Sequence, residues 1–498
     1  MVTRISATTP PNLERKPKAP SCAMVVFGAS GDLSRRKLIP AMHQLFAGGS
    51  LSEHFAIVGV ARRQTSSEQF RRDMHQAVAE RRGDENFDTA TWERFDDSLE
   101  YVPGEFADPA TYVRLSETLE RLDHERGLQG NRLFYLATPP TEFECILNRL
   151  SEAGMLRPPH HSPWTRVIIE KPFGRDLESA RHLNAMLATV LDESQIFRID
   201  HYLGKETVQN ILVLRFANAI FEPIWNRRYV QYVEICAAEE IGVGSRGHFY
   251  EQTGILRDIV QNHMLEVLAL TAMEPPITAT ADDIRTEKLK VLNALRDLTA
   301  DQIEQDVVLG QYRGYRQEPN VSPASTTPTY AALRVFVDNW RWQGVPFYLH
   351  AGKKLPSRVT EVSLHLQPVP LRLFGSRDEC RSVESNVLTM RIQPNEGISL
   401  RFESKIPGHE MAIGTVAMDM DYVETFGGEP AEAYERLLLD AMRGDATLFS
   451  RRDAVESSWT WITPIIQHFE RNPPRDFPNY DPGTWGPSRA RQLIERDR

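Results

Sequence analysis

The chain has 498 residues, of which 41% are hydrophobic and 25% charged, and its formal net charge is -10. These fractions are those of an ordinary globular protein of about two to four domains, and they exclude wholesale disorder and fibrous architecture. Net negative charge argues against general nucleic-acid binding, which needs a basic face, so an anionic ligand must meet a local cluster of positive charge.

In chain order, the first twenty residues, MVTRISATTPPNLERKPKAP, lack the apolar core of a secretory signal, and residues 1–19 are expected to form a loose tail. No window reaches the roughly 18 consecutive apolar residues of a membrane helix, so a cytoplasmic protein with no membrane partner is expected. Cys22, Cys145, Cys236 and Cys380 are far apart, with no Cys-x-x-Cys pair. They are expected to be reduced, mostly buried thiols.

Residues 24–61 carry a strand (MVVFG), a helix (SGDLSRRKLIPAMHQLF, with Leu38, Met42 and Phe46 at helical spacing) and a second strand (FAIVGVA). Such a βαβ unit builds a parallel sheet. NRLFYLATPP (131–140) and RVIIEKPFG (166–174) repeat the pattern of a buried strand ending in a loop. Together they predict an α/β, Rossmann-like dinucleotide-binding domain over residues 20–200.

Gly28 and Gly31 in GASGDL can bring backbone amides close to a phosphate at a helix start. The turn is Gly-x-x-Gly, short of the full dinucleotide fingerprint and without the Gly-Lys-Ser/Thr of a P-loop, so a plain structural turn is the alternative. The second strand ends in Arg62 and Arg63 where NAD-binding folds commonly place an acid. That favours NADP, because arginine accommodates its additional phosphate; two solvated arginines are the alternative.

Lys171 in EKPFG follows a strand directly, at the carboxyl end where open α/β sheets bind ligands, with a plain surface lysine as the alternative, and Pro172 makes the preceding peptide a candidate for the cis form. FRIDHYLGKE (197–206) packs Asp200, His201, Tyr202 and Lys205 into one polar run. A helical turn here would set His201 and Lys205 on one face, suited to a phosphate monoester; an ordinary capped helix start competes.

Beyond residue 200 the texture changes. YVQYVEICAAEE, LRVFVDNW, VPFYLHAG, EVSLHLQPV, NVLTMRIQ and GISLRFESK alternate as strands, with Pro394 to Gly397 turning between the last two. An α+β domain with a large, mainly antiparallel sheet is expected over 201–498, its helices near 251–273 and 430–443 covering one face. Within GILRDIVQNHMLEVLALTAM (254–273), one helix is expected, interrupted by Asp258, Asn262 and His263. Asp258 and His263, five apart, do not stack on such a helix. His263 is a candidate base by its ordinary pKa near 6.5, with a satisfied core histidine as the alternative; Asp200 could orient it only if the fold brings it alongside.

At these residues the sequence resembles a known family. GASGDL, NRLFYLA-x-PP, EKPFG, RIDHYLGKE, VQN-x-x-VLRFAN, AYERLLLDAMRGD and a GPSRA-like C-terminal segment, in this order, are similar to glucose-6-phosphate dehydrogenases from about residue 22 onward. The resemblance implies oxidation of glucose 6-phosphate at C1 to the phosphogluconolactone, with hydride transfer to NADP, as the opening step of the oxidative pentose phosphate pathway. It implies His263 as the base, Asp200 as its orienting partner, and Lys171 between substrate and nicotinamide. His201, Tyr202 and Lys205 would hold the sugar phosphate; Glu239 and Asp258 would meet sugar hydroxyls, and Lys353, Arg358 and Gln393 complete the substrate set. Gly28, Ser30, Gly31, Asp32 and Leu33 match the dinucleotide loop and Arg62 the 2'-phosphate contact, with Arg63 beside it.

No metal is implied, and the family pattern implies a homodimer or homotetramer. Some members hold a second, structural NADP; at the comparable positions stand His350, Val359 and Ser363, with only Arg391 retained, and that site is not expected here. Two rivals stand beside this expectation. One is a dehydrogenase of an unphosphorylated sugar, which needs no phosphate cluster; the other is a non-catalytic NADP-binding sensor, which needs no base.

Overall fold

A computed structural model of the chain describes residues 18–82, 88–371, 373, 384–409, 411–427 and 431–496. Residues 1–17 of the expected tail, Cys380 and residue 430 lie outside the described residues. Six strands come first: β1 (Cys22–Phe27), β2 (Phe55–Ala61), β3 (Leu99–Pro103), β4 (Arg132–Leu136), β5 (Thr165–Ile169) and β6 (Ile196–Ile199). Then come β7 (Val230–Ala238), β8 (Val307–Gly310), β9 (Tyr330–Phe336), β10 (Pro346–Gly352) and β11 (Val359–Leu366). The last are β12 (Val387–Gln393), β13 (Gly397–Lys405), β14 (Ile413–Asp421) and the short β15 (Phe449–Ser450).

The first sheet runs β15-β6-β5-β4-β1-β2-β3, parallel except for β15. Its six parallel strands have the doubly wound order 3-2-1-4-5-6. Every residue of β1 and β2 is buried, which is why both read as continuous apolar runs rather than alternating ones. Each fully buried valine or phenylalanine here contributes about 1.5–3 kcal/mol. The second sheet runs β14-β13-β12-β11-β7-β10-β9-β8. Only the central β7 and β10 pair in parallel; the other neighbours are antiparallel, as expected.

The helices depart from expectation in three places. The first begins with a wide π turn, Ser34–Leu38, before the α-helix Ile39–Ala47. Pro40 has no N–H to give the Arg36 carbonyl, and the Arg81 guanidinium donates to that oxygen instead. The single helix expected over 254–273 is three segments: Gly247–Ile255, a π-helical Leu256–Met264 and Leu265–Ala272. Gly254, at φ 57° and ψ 178°, makes the first break, in a conformation that glycine adopts at least cost. The helix Ala433–Arg443 does not cover the second sheet. It packs on Ile39–Ala47, and Arg166 of β5 donates to its Ala441 carbonyl at 3.1 Å.

The chain thus returns at its end to the first sheet, where β15 pairs with β6 and the helix Arg452–Arg471 packs on Leu177–Val190. Cys22 and Cys236 are buried free thiols; Cys145 is free and half-buried. Among the described residues no helix is long and apolar enough to cross a membrane.

Candidate active site

Four of the expected residues sit at one edge for a topological reason. Gly28 follows β1, Arg62 follows β2, Lys171 lies two residues beyond β5, and Asp200 follows β6. These strands are parallel, so all four residues lie at the carboxyl end of the first sheet. The second sheet supplies the opposing set. Glu239 follows β7 and Lys353 follows β10, and the Glu239 N–H donates to the Gly352 carbonyl at 2.9 Å. Antiparallel β11 starts at that end, with Val359 opposite Ala238 and Thr360 opposite Gln393, which brings Arg358 and Gln393 to the same place.

The π-helical segment joins the two sets. Its i to i+5 repeat puts Asp258 and His263 on one face, correcting the expectation that nothing local brings them together. Both meet Lys171: its Nζ donates to the Asp258 carbonyl at 3.2 Å and lies 2.5 Å from His263 Nε2. Asp200 Oδ1 lies 2.5 Å from His263 Nδ1 and accepts from the Tyr202 N–H at 2.9 Å. Residues 201–204 are consecutive turns and 205 a bend rather than a helix, which begins only at Glu206. The Asp200 side chain, bonding forward to Tyr202, competes with helical bonding there. His201 and Lys205 therefore do not share a helix face.

These contacts assign the tautomer of His263. A carboxylate at Nδ1 requires an N–H there, and a lysine ammonium can only donate, so Nε2 is the acceptor. Burial pushes the imidazole well below its ordinary pKa, and the Lys171 charge adds to this. The ring is thus neutral with Nε2 open to a proton. Tyr202 stacks on it at 4.2 Å and His201 meets it edge-on at 4.6 Å. Burial also lowers the His201 pKa, with His263 and Lys171 contributing. Burial opposes ionisation of Asp258, but Lys171 and Lys353 outweigh it and hold its carboxyl below the ordinary value. Lys353 donates to Glu239 and lies 3.9 Å from Asp258 Oδ2.

A second cationic point lies beyond Tyr202. Lys205 Nζ sits over the Tyr202 ring at 4.5 Å and donates to Gln393 Oε1. Arg358 donates to that same oxygen at 3.0 Å, while Gln393 Nε2 donates to Thr360 Oγ1 at 2.9 Å. Two cations converging on one neutral carbonyl mark where an anionic oxygen would be better held. Burial, then Arg358, lowers the Lys205 pKa to about 8. Eleven of the expected residues, Lys171, Asp200, His201, Tyr202, Lys205, Glu239, Asp258, His263, Lys353, Arg358 and Gln393, therefore form one continuous set of contacts.

The dinucleotide-loop residues form a separate group at β1 and β2. Gly28 has φ 89°, and a Cβ there would clash with the Ala137 carbonyl at the end of β4. The Gly31 N–H donates to the Gly28 carbonyl at 2.9 Å. Ser30, Gly31 and Asp32 are exposed where the helix begins, so its first N–H groups face outward without helical acceptors. Such a cradle fits a dinucleotide's pyrophosphate. Asp32 pairs with Arg36 at 2.7 Å, and Leu33 packs partly into the core. Arg62 and Arg63 are both exposed, but Arg63 is paired with Asp73 at 3.2 Å, leaving Arg62 the better placed to meet a further phosphate.

Asp200, His201 and His263 each bring a possible metal-ligand atom within 4.8 Å of the others. The ammonium of Lys171 faces Nε2 of His263, and a dication there would meet that positive charge. Sequence reasoning passed over Glu170 and its partners. Its carboxyl accepts from Tyr135 and, at 3.0 Å, from Tyr434, and burial raises its pKa. The only signal was its place next to Lys171, since Tyr434 lies 264 residues away.

Residues 25–210 match the family model "Glucose-6-phosphate dehydrogenase, NAD binding domain", and residues 212–498 match "Glucose-6-phosphate dehydrogenase, C-terminal domain". Glucose-6-phosphate 1-dehydrogenase of Chlamydia pneumoniae is 45% identical over 491 residues, covering 96% of this chain and 95% of that protein. The protein of the same name from Aggregatibacter actinomycetemcomitans is 45% identical over 489 residues, with 96% and 97% covered. A solved glucose-6-phosphate dehydrogenase in complex with its substrate glucose-6-phosphate superposes with a TM-score of 0.87 at 34% identity, over 97% of this chain and 99% of that one. The Asp200–His263 pair, the convergent cations and the glycine cradle after β1 thus lie in a chain that belongs to the glucose-6-phosphate dehydrogenase family.

Proposed function

We propose that this chain oxidises glucose 6-phosphate at C1 to 6-phosphoglucono-1,5-lactone and reduces NADP. The observation that carries the reading is one continuous set of contacts holding both a histidine ready to accept a proton and two cations converging on Gln393. Accepting the hydride is the chemistry NADP supplies when bound. The Gly28–Leu33 loop would hold its pyrophosphate and Arg62 its 2'-phosphate, with Arg63 reinforcing the charge there.

His263 Nε2 takes the proton of the C1 hydroxyl, and Asp200 stabilises the imidazolium that forms. Lys171, now on Nε2, is the group that must yield this position to the hydroxyl, and it stays beside C1 as a hydrogen-bond donor. Glu239, Asp258 and Lys353 orient the sugar hydroxyls. Lys205 and Arg358 neutralise the phosphate, helped by His201 and Tyr202, while Gln393 gives up its double acceptance.

The division into residues 20–200 for the dinucleotide and 201–498 for substrate and assembly belongs to this proposal, supported by family models that meet between residues 210 and 212. A homodimer or homotetramer is proposed through the second sheet, whose outer strand β14 exposes Val416 and Met418. A cytoplasmic address is proposed with it, consistent with free Cys22, Cys145 and Cys236. A second structural NADP is not proposed: His350 contacts Glu234 at 3.0 Å, Ser363 bonds Thr389 at 2.9 Å and Arg391 pairs with Asp419 at 2.9 Å.

Initial rates of nicotinamide reduction test the reading. Fast reduction of NADP by glucose 6-phosphate, and not by glucose, is expected. Similar rates with free glucose would favour the broader sugar dehydrogenase, and binding without reduction the sensor. In the same assay Arg62→Ala is expected to raise the KM for NADP roughly tenfold, the scale of a hydrogen bond to a charged group, and to spare that for NAD. Unchanged selectivity would remove Arg62 from the phosphate contact.

A further inference from the structure

A cavity of about 50 Å3 lies beside Asp200, lined by Lys171, Arg198, Asp200, Gln261, Glu266 and Ser458 among others, and by none of Lys205, Glu239, Lys353, Arg358 or Gln393. Among the described residues, Asp200 bonds through only one of its oxygens. Oδ1 takes the bonds from His263 and Tyr202, whereas Oδ2 is buried without a protein partner. Arg198, two residues earlier on β6, is the counterpart. Its two Nη atoms are held by Glu193, at 2.6 and 3.1 Å, and by Asn184 at 3.0 Å, but its Nε–H is also buried without a partner. Both residues are only 3% exposed.

An unpaired carboxylate oxygen and an unpaired guanidinium N–H are each costly to bury, and they are complementary as acceptor and donor. They line the same cavity, whose wall is otherwise largely apolar, and roughly 10–15 Å3 of space beside such polar groups accommodates one water. We propose that an ordered internal water accepts from Arg198 Nε–H and donates to Asp200 Oδ2, making Arg198 a positioning residue for the Asp200–His263 pair. Bonded on both oxygens, the carboxylate cannot swing about its terminal torsion, and Oδ1 stays in line with His263 Nδ1. The same arginine is fixed in turn by Glu193 and by packing of its guanidinium over the Phe173 ring at 4.8 Å. The bridge thus ties the orientation of the base to a group that touches neither substrate nor cofactor.

This inference rests on the proposed roles of His263 and Asp200. A crystal structure of the full chain at a resolution that shows ordered solvent tests it directly. A water within hydrogen-bond distance of both Arg198 Nε and Asp200 Oδ2 is expected; an empty cavity, or solvent touching neither atom, overturns the bridge. Ala454→Leu, which fills the cavity from the helix that lines it, provides the kinetic arm. Displacing the water is expected to lower kcat roughly tenfold and to leave the KM values for glucose 6-phosphate and NADP unchanged. An unaltered kcat in a folded variant overturns the positioning role. If Ala454→Leu does not fold, the smaller Ala454→Val replaces it with the same expected direction. A dry cavity in an enzyme that still loses turnover on His263→Ala would overturn the bridge and leave the base assignment standing.

Discussion

His263→Ala is expected to lower kcat by at least about a hundredfold, the contribution of a positioned general base, while NADP binding stays nearly intact. The size of the effect follows from what the site gives this one nitrogen. Asp200 accepts the Nδ1–H hydrogen bond at 2.5 Å and Lys171 donates to Nε2, so the proton-accepting atom is set before substrate arrives. Burial and the Lys171 charge keep the ring neutral well below the ordinary imidazole pKa, so base catalysis is not lost as the medium becomes mildly acidic. Once the proton is taken, the adjacent Asp200 carboxylate stabilises the positive ring. Alanine removes the acceptor, and among the described residues no other side chain bridges Asp200 and Lys171. The Gly28–Leu33 loop lies at a different part of the sheet edge, so cofactor affinity measured by direct titration should change little. Near-normal turnover in the variant would remove His263 from the mechanism.

Lys205→Ala is expected to reduce kcat/KM for glucose 6-phosphate by about 10- to 100-fold, the range for a lost charge-assisted hydrogen bond, and hardly to affect any rate on free glucose. Lys205 and Arg358 both direct their charge at Gln393 Oε1, and the phosphate would take the place of that neutral acceptor. The lysine also brings a pH signature. Burial and Arg358 lower its pKa to about 8, so it carries its charge below that value and loses it above. The KM for the sugar phosphate should therefore rise as pH passes about 8 in the native enzyme and stay flatter in the variant. Equal losses on phosphorylated and free sugar, or a native KM unchanged well above pH 8, would contradict the phosphate assignment.

What was legible in the sequence divides along physical lines. The first strand, turn and helix are local patterns: buried on both faces, β1 and β2 show as apolar runs, and Gly28 marks the one turn where a side chain would strike the Ala137 carbonyl. The alternating strands of the second sheet were equally plain. Two-residue β15 is too short to leave a period, and β14 is exposed along most of its length, so its alternation reports little burial.

The π-helical stretch over Leu256–Met264 was invisible to a search for 3.6-residue spacing, although Gly254 inside an apolar helix pattern was a warning of a break. That stretch is what makes residues five apart share a face. The meeting of Asp200 with His263 spans 63 residues, and no spacing rule predicts it. It follows from the parallel sheet ending beside the π segment. Resemblance to the family supplied that pairing before the fold did, whereas Glu170 with Tyr135 and Tyr434, and Arg198 beside the cavity, emerged only from the packing.

The most direct test of the account is transfer of deuterium from C1-deuterated glucose 6-phosphate during NADP reduction by the native enzyme. The label is expected in the reduced nicotinamide, because the hydride leaves C1 as His263 takes only the hydroxyl proton. Deuterium released to solvent, with unlabelled nicotinamide, would contradict it.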